Sequence, residues 1–351
     1  MRSALLMFGY ALVVAWCLPA PLTRLTARGV SARLGLAAWL TAMISALAST
    51  AIALQFLIRA AIGGWPGLAE AVCRSVAGAA CAPTVYRSAI FELALGAATV
   101  VAAVTVAVAG WRYGRGVQRA KQRTHAHAAA ARITGTKLRD AVVRDAAVRN
   151  AVLRDAVACD AVARDAVVRD AMVRDAVVLD APQPIAYCVP GRPATIVLSS
   201  GALDVLDPAQ LAAVLAHERA HLAGRHHLLI TLTRGLGASF PAVPLFTQGA
   251  REVARLAEMC ADDAAARHSG RPTLIAALLA MGTGSAVPVA ALAAASCAIT
   301  ARLQRLLEPP GRSRRASYGL ALVIVTLLLA LASGLVTTFA SFLAAHGIAA
   351  G

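Results

Sequence analysis

Two histidines four residues apart, with a glutamate beside the first, stand at His217-Glu218-Arg219-Ala220-His221. On a helix, positions four apart share a face one turn apart, so both imidazoles can reach one metal ion. The intervening Glu218 then reaches a water at that metal and can take its proton. With eight His and six Glu in 351 residues, composition gives roughly 0.003 such patterns by chance. A catalytic zinc takes three protein ligands and leaves one position open, so a third ligand is expected from a later element. Glu258 and Asp262, in AEMCADDAA, are four apart on a predicted helix. That spacing puts both carboxylates on one face, where one can ligate zinc and the other can steady a ligating His.

These residues need elements to hold them. Val177-Val178-Leu179 and Thr195-Ile196-Val197-Leu198 are β-branched runs bounded by Pro and Gly, and read as short strands, with Gly201 ending the second. Asp207 and Pro208 read as an N-cap and first-turn pair opening the helix that carries the two His. A second helix is predicted from about Arg251 to His268, ended by Gly270 and Pro272. In a zincin-like layout the strand Thr195, Ile196, Val197, Leu198 is expected at the sheet edge over the cleft. There its free N–H and C=O groups would pair with an extended substrate. His226 and His227, which could bind a second metal or orient substrate, read rather as a solvated helix end. His268, which could stabilise a tetrahedral intermediate, reads as a helix C-terminal His facing the dipole, and Cys260 as packing.

The chain as a whole is apolar and basic. It is 59% hydrophobic with a mean hydropathy of +0.67, and its net charge of +16 comes almost entirely from Arg, Lys occurring only at Lys121 and Lys137. Abundant Ala, Arg and Val in place of Lys and Ile is the composition of a GC-rich genome. Four runs are long enough to cross a membrane: about Ser3 to Leu18, Leu34 to Ile58, Ala89 to Gly110 and Tyr318 to Leu343. The Arg residues crowd the ends of these runs, which points to a membrane and away from nucleic acid as the partner. Arg112, Arg115, Arg119, Lys121, Arg123, Arg132 and Lys137 carry no acid among them, and Arg312, Arg314 and Arg315 precede the fourth run. By the positive-inside rule the stretch from about 111 to 316 is expected in the cytoplasm of a bacterial cell. A cleaved leader at the first run would invert this order, and the charge pattern argues against it. The seven cysteines show no CxxC, and Cys73 and Cys81 share one loop that is expected to face outward.

From Arg139 the sequence repeats with a period of five, RDAVV-RDAAV-RNAVL-RDAVA-CDAVA-RDAVV-RDAMV-RDAVV. Five matches neither the helical nor the strand period, so no continuous apolar stripe forms. The repeat reads as an insert. The expected fold class is therefore an α-helical multi-pass membrane protein with a cytoplasmic α+β zincin-like metallopeptidase domain. Its expected parts are residues 1–110 with three spans, 111–176 with the basic segment and insert, 177–316 with the peptidase domain, and 317–351 with the fourth span.

SSGAL, AVLAHERAHLAGRHH and EMCADDAA together resemble the membrane-embedded gluzincin peptidases, over about residues 177–280. The likeness extends to the HtpX and CAAX-prenyl-protease type and to the beta-lactam sensor (BlaR/MecR) type, and the HERAH-x4-HH form leans toward the latter. The resemblance implies that His217, His221 and Glu258 bind Zn2+, that Glu218 is the general base, and that Asp262 supports a ligand from behind. Those sensors carry an extracellular penicillin-binding domain after the last span. The present sequence runs only a few residues past its fourth apolar run and has no Ser-x-x-Lys context, so direct antibiotic sensing is not expected.

The residues thus point to a zinc endopeptidase hydrolysing protein or peptide substrates at the cytoplasmic face of the bilayer. A transcriptional repressor as signal-regulated substrate follows from the resemblance alone. A general membrane quality-control protease is the alternative within enzymes. A receptor with a structural metal site is the alternative outside them, and the intact Glu218 argues against it.

Overall fold

The computed structural model describes residues 2–27, 31–64, 108, 110–119, 122, 135–137, 176–191, 194–283, 299–309 and 311–345. The third apolar run up to position 107, the Cys73–Cys81 loop and all of the pentapeptide repeat except its last three residues lie outside them.

Three helices come first: α1 (Arg2–Cys17), α2 (Pro19–Thr26) and α3 (Ala32–Gly64). The first apolar run, about Ser3 to Leu18, is α1, and the chain bends at its end. Pro19 cannot donate to the preceding turn, and α1 and α2 meet at 42°. Helix α3 is long and apolar enough to cross a membrane, as is α9 (Arg312–Ala345), the last described element. Both present bare apolar side chains outward, among them Ile44, Leu327, Leu331 and Leu335. A soluble domain rarely exposes such a continuous patch, whereas lipid accepts one.

Between them lies a sheet of four strands, β1 (Thr136–Lys137), β2 (Ala176–Leu179), β3 (Ala186–Val189) and β4 (Thr195–Ser199), in spatial order β1-β2-β4-β3. β4 runs parallel to β2 and antiparallel to β3. The strand expected at the sheet edge is therefore an inner strand. Thr195, Ile196, Val197 and Leu198 are all buried; Ile196, Val197 and Leu198 are paired on both sides, and Thr195 pairs with Val189 of β3. Their backbone groups face neighbouring strands and cannot take up a substrate. β4 is apolar on successive residues because both of its faces are covered.

Helix α4 (Ser200–Val205) follows β4 directly, then α5 (Pro208–Ala223), α6 (His226–Ser239), α7 (Pro244–Ser269) and α8 (Arg271–Thr283). The Ser-Ser-Gly at the β4–α4 junction ties down the preceding loop. Ser199 Oγ accepts from Ile185 N at 2.9 Å and Ala202 N at 3.1 Å and donates to Gln183 O at 2.6 Å. Gly201 N donates to Ala181 O at 2.9 Å, and a Cβ on Gly201 would run into the Pro182 carbonyl. Asp207 caps α5 in a full capping box with Gln210. Gly270, at φ +83°, ends α7, and Pro272, read from sequence as a stop, instead lies in the first turn of α8.

Two cores result. One joins the sheet to α5 through Val178, Ile196, Leu198, Leu211, Val214 and Leu215. The other joins α7 to the apolar helices, with Leu245, Phe246, Val253 and Leu256 against Trp39 and Met43 of α3 and Leu22 of α2. The predicted helix from Arg251 starts earlier than expected, at Pro244, and the added turns bring Leu245, Phe246 and Gly249 to the α3 contact beside Val253 and Leu256.

Candidate metal centre

Helix α5 carries His217, Glu218 and His221, and α7 crosses beside it carrying Glu258 and Asp262. One ligand atom from each of His217, His221 and Glu258 lies within 4.8 Å of the others. His217 Nε2 is 3.1 Å from His221 Nε2. Glu258 Oε2 is 3.5 Å from His217 Nε2, and Oε1 is 3.4 Å from His221 Nε2. Two ring nitrogens and a carboxylate converging in this way are a set of acceptors that a cation would satisfy. Two imidazoles and one carboxylate are also the donors of a catalytic zinc with three protein ligands. The Glu258 side chain is 38% exposed while His217 is buried, so the set opens on one side only.

Behind the set, Asp262 Oδ1 lies 3.1 Å from His217 Nδ1. Asp262 is 1% exposed. Its charge is met by Arg302, on helical residues 299–307, whose Nε and Nη2 donate to Oδ2 at 2.8 Å and Oδ1 at 2.6 Å. Arg302 Nη1 also lies 3.2 Å from Glu258 Oε2. One guanidinium thus spans both carboxylates, the fork geometry that Arg offers and Lys does not. Sequence reading missed Arg302, which lies forty positions beyond Asp262 in no local pattern.

The electrostatics follow this geometry. Burial alone would lower the His217 pKa, but hydrogen bonding to Asp262 and Glu258 outweighs it and raises it to about 9. Burial works to raise Glu258, yet His217, His221 and Arg302 together hold it well below the ordinary carboxylate range. Asp262 is likewise held low against its burial, by Arg302 and then His217. The cluster therefore favours charged carboxylates at neutral pH.

His226 departs from its sequence reading. It is 6% exposed, and its Nδ1 lies 3.1 Å from Nδ1 of His221. Burial, then the neighbouring His221, lowers its pKa to about 4. His227 does line the cleft, and His268 is exposed at the end of α7.

The cleft has a volume of about 790 Å³. His217, Glu218, His221 and Glu258 form one wall, and Ile185, Tyr187 and Cys188 of the β3 segment form another. Glu218 is buried, 9% exposed, and sits close enough to Cys188 to help push that thiol, already raised by burial, up to about 12. The strand beside the cleft is thus β3, which sequence reading passed over, and it lies at the end of the sheet order.

No curated protein and no solved structure matches the chain. Residues 147–241, about a quarter of the chain, match the family model of Peptidase family M48. The matched stretch takes in β2 to β4 and the HERAH helix and stops short of α7, and it supports a zincin-type metallopeptidase.

Proposed function

We propose that this chain is an integral membrane zinc-dependent endopeptidase whose active site is the cleft between α5, α7 and β3. The observation that carries the reading is the convergence of His217, His221 and Glu258 within 4.8 Å beside Glu218 in that cleft. A zinc ion held by those three residues would supply Lewis acidity toward the scissile carbonyl. Glu218 accepts a proton from the attacking water and returns it to the departing amine. Asp262 and Arg302 hold His217 and Glu258 in place from behind, so that little reorganisation accompanies the reaction.

Substrate binds along β3. Ile185 uses both its N–H and its C=O toward Ser199. In an antiparallel ladder such pairing alternates, so Tyr187 faces β4 while Ala186 and Cys188 turn their backbone groups outward. Among the described residues no strand pairs with that outer edge. An extended peptide added there would pass across the metal ligands with little demand on its side chains. The helices α3 and α9 would hold the cleft near a bilayer, with the peptidase part on the cytoplasmic side.

The test is metal content together with a base-deleted variant. Purified protein in detergent is expected to hold about one zinc per chain. Glu218→Gln should keep the zinc and the fold while lowering casein cleavage by about 10²–10⁴-fold. Wild-type protein without zinc, or an active Glu218→Gln, would overturn the reading.

A further inference from the structure

His221 presents one ring nitrogen to the ligand cluster and the other to His226. Its Nε2 faces His217 Nε2 at 3.1 Å and Glu258 Oε1 at 3.4 Å, and its Nδ1 faces His226 Nδ1 at 3.1 Å. The two rings stand edge to face, 4.9 Å between centroids and 90° between planes. A neutral imidazole carries one hydrogen, on one nitrogen only. If the His221 hydrogen sat on Nε2, the lone pair a metal needs would be blocked. It must then sit on Nδ1, and the nitrogen 3.1 Å away must accept it.

We infer that His226 is a positioning residue for the metal ligand His221, its Nδ1 accepting the His221 Nδ1–H so that the His221 Nε2 lone pair points at His217 and Glu258. This rests on the metal-site reading given above and adds a third imidazole to it, one that never touches the metal. The residue supporting His217 is a carboxylate, Asp262. The residue supporting His221 is neutral and sets a tautomer rather than a charge, a role that outer partners of metal-binding histidines commonly fill.

The backbone is shaped to deliver that ring. Helices α5 and α6 are joined by Gly224 and Arg225 alone. Arg225 is the one non-glycine among the described residues at positive φ (φ 49°, ψ 36°), a left-handed conformation that disfavours its side chain. This reversal folds His226 back against the last turn of α5. Gly224 makes room for it, since a Cβ there would overlap the His226 ring. An unfavoured backbone conformation and a glycine with no room for a methyl group both serve the placement of this one imidazole.

The test uses the full chain in detergent, with Zn2+ as the probe and two substitutions that separate acceptor from packing. His226→Phe keeps a ring without an acceptor. His226→Asn loses the ring but can set its Oδ1 where Nδ1 stood. Chelator competition should show zinc affinity about 10–100-fold weaker in the Phe variant and largely recovered in the Asn variant. The Co2+-loaded absorption spectrum should be altered in Phe and near wild-type in Asn. Equal affinity in Phe and wild type would overturn the inference, as would equal losses in Phe and Asn, which would make the ring a packing element. Two-bond 1H–15N spectra of labelled imidazoles read the tautomers without metal. Hydrogen on His221 Nδ1 and on His226 Nε2 is expected, and the reverse would overturn the inference. Wild-type protein that binds no zinc but shows these tautomers would sink the metal-site reading while leaving the His226–His221 hydrogen bond standing.

Discussion

Helix α7 enters two different environments along its length. Its first half turns Leu245, Phe246, Gly249, Val253 and Leu256 toward α2 and α3, with the Glu252–Arg255 pair touching Thr26 at the rim of that core. Further on, Glu258 and Asp262 turn toward α5 and Arg302, where their own contacts are with charged or polar groups, while Ala265 packs on Ala213 and Ala216 of α5. The packing half is held by area and shape, which tolerate small shifts at a modest cost. The ligand half is held by a few short polar contacts, each expensive to leave half-made. One helix joins the two halves, so whether the packing on α3 also fixes where Glu258 sits can be tested.

The largest effect should come from the ligand half. Arg302→Met would leave Asp262, 1% exposed, with only His217 against its charge. Breaking a buried pair from one side typically costs about 3–5 kcal/mol. Thermal unfolding in detergent should show a lowered midpoint, with zinc affinity reduced in the molecules that stay folded. Arg302→Lys should recover only part of the loss, since an ammonium cannot span both carboxylates. If Arg302→Met unfolds at the wild-type temperature, the ligand half is held by packing after all, and the contrast within α7 fails.

The packing half offers the converse experiment. A Cβ at Gly249 would press on Met43 Cε and the Trp39 ring, so Gly249→Leu overfills the α3–α7 contact. Overpacking costs about 1–3 kcal/mol. The expected outcome is a lower unfolding temperature with zinc stoichiometry and affinity unchanged per folded chain. Loss of zinc affinity in step with stability would show that strain at α3 travels along α7 to Glu258, and would make the apolar helices part of the site.

The same contrast explains what could be read before the fold was known. His217, Glu218 and His221 are four residues apart or fewer on one helix, and the Asp207–Gln210 cap lies just before them, so local spacing was enough. β2 and β4 were legible from their β-branched residues. Strand order was not, because the pairing of β4 with β2 and β3 at once is a long-range fact; its unbroken run of buried residues was the available sign. β3, Ala-Tyr-Cys-Val, has a single β-branched residue and no alternation of burial, so neither composition nor periodicity marked it. Arg302 meets Asp262 only through tertiary folding. His226 looked like a solvated helix end because a Gly-Arg turn in sequence does not reveal that Arg225 reverses the chain.

The smallest effect separates the two strands that sequence reading and structure assign to substrate. Pro at an outward-facing position of β3 removes one donor from the free edge and leaves the ladder to β4 intact. Cys188 is such a position, since Ile185 pairs inward through both its backbone groups with Ser199 and the pairing alternates along the strand. One lost hydrogen bond to substrate corresponds to about 0.5–1.5 kcal/mol, or roughly 2–10-fold in kcat/KM for an extended peptide. The change should fall mainly on KM, with zinc content and unfolding temperature kept. Cys188→Ala serves as the control that removes the thiol but keeps the N–H. Ile196→Pro, in the inner strand and 3% exposed, should instead break the sheet and lower both stability and zinc content. If Cys188→Pro cleaves peptides at the wild-type rate while staying folded, substrate does not pair with β3. If Cys188→Ala is impaired as much as Cys188→Pro, the thiol facing Glu218 matters and the backbone edge does not.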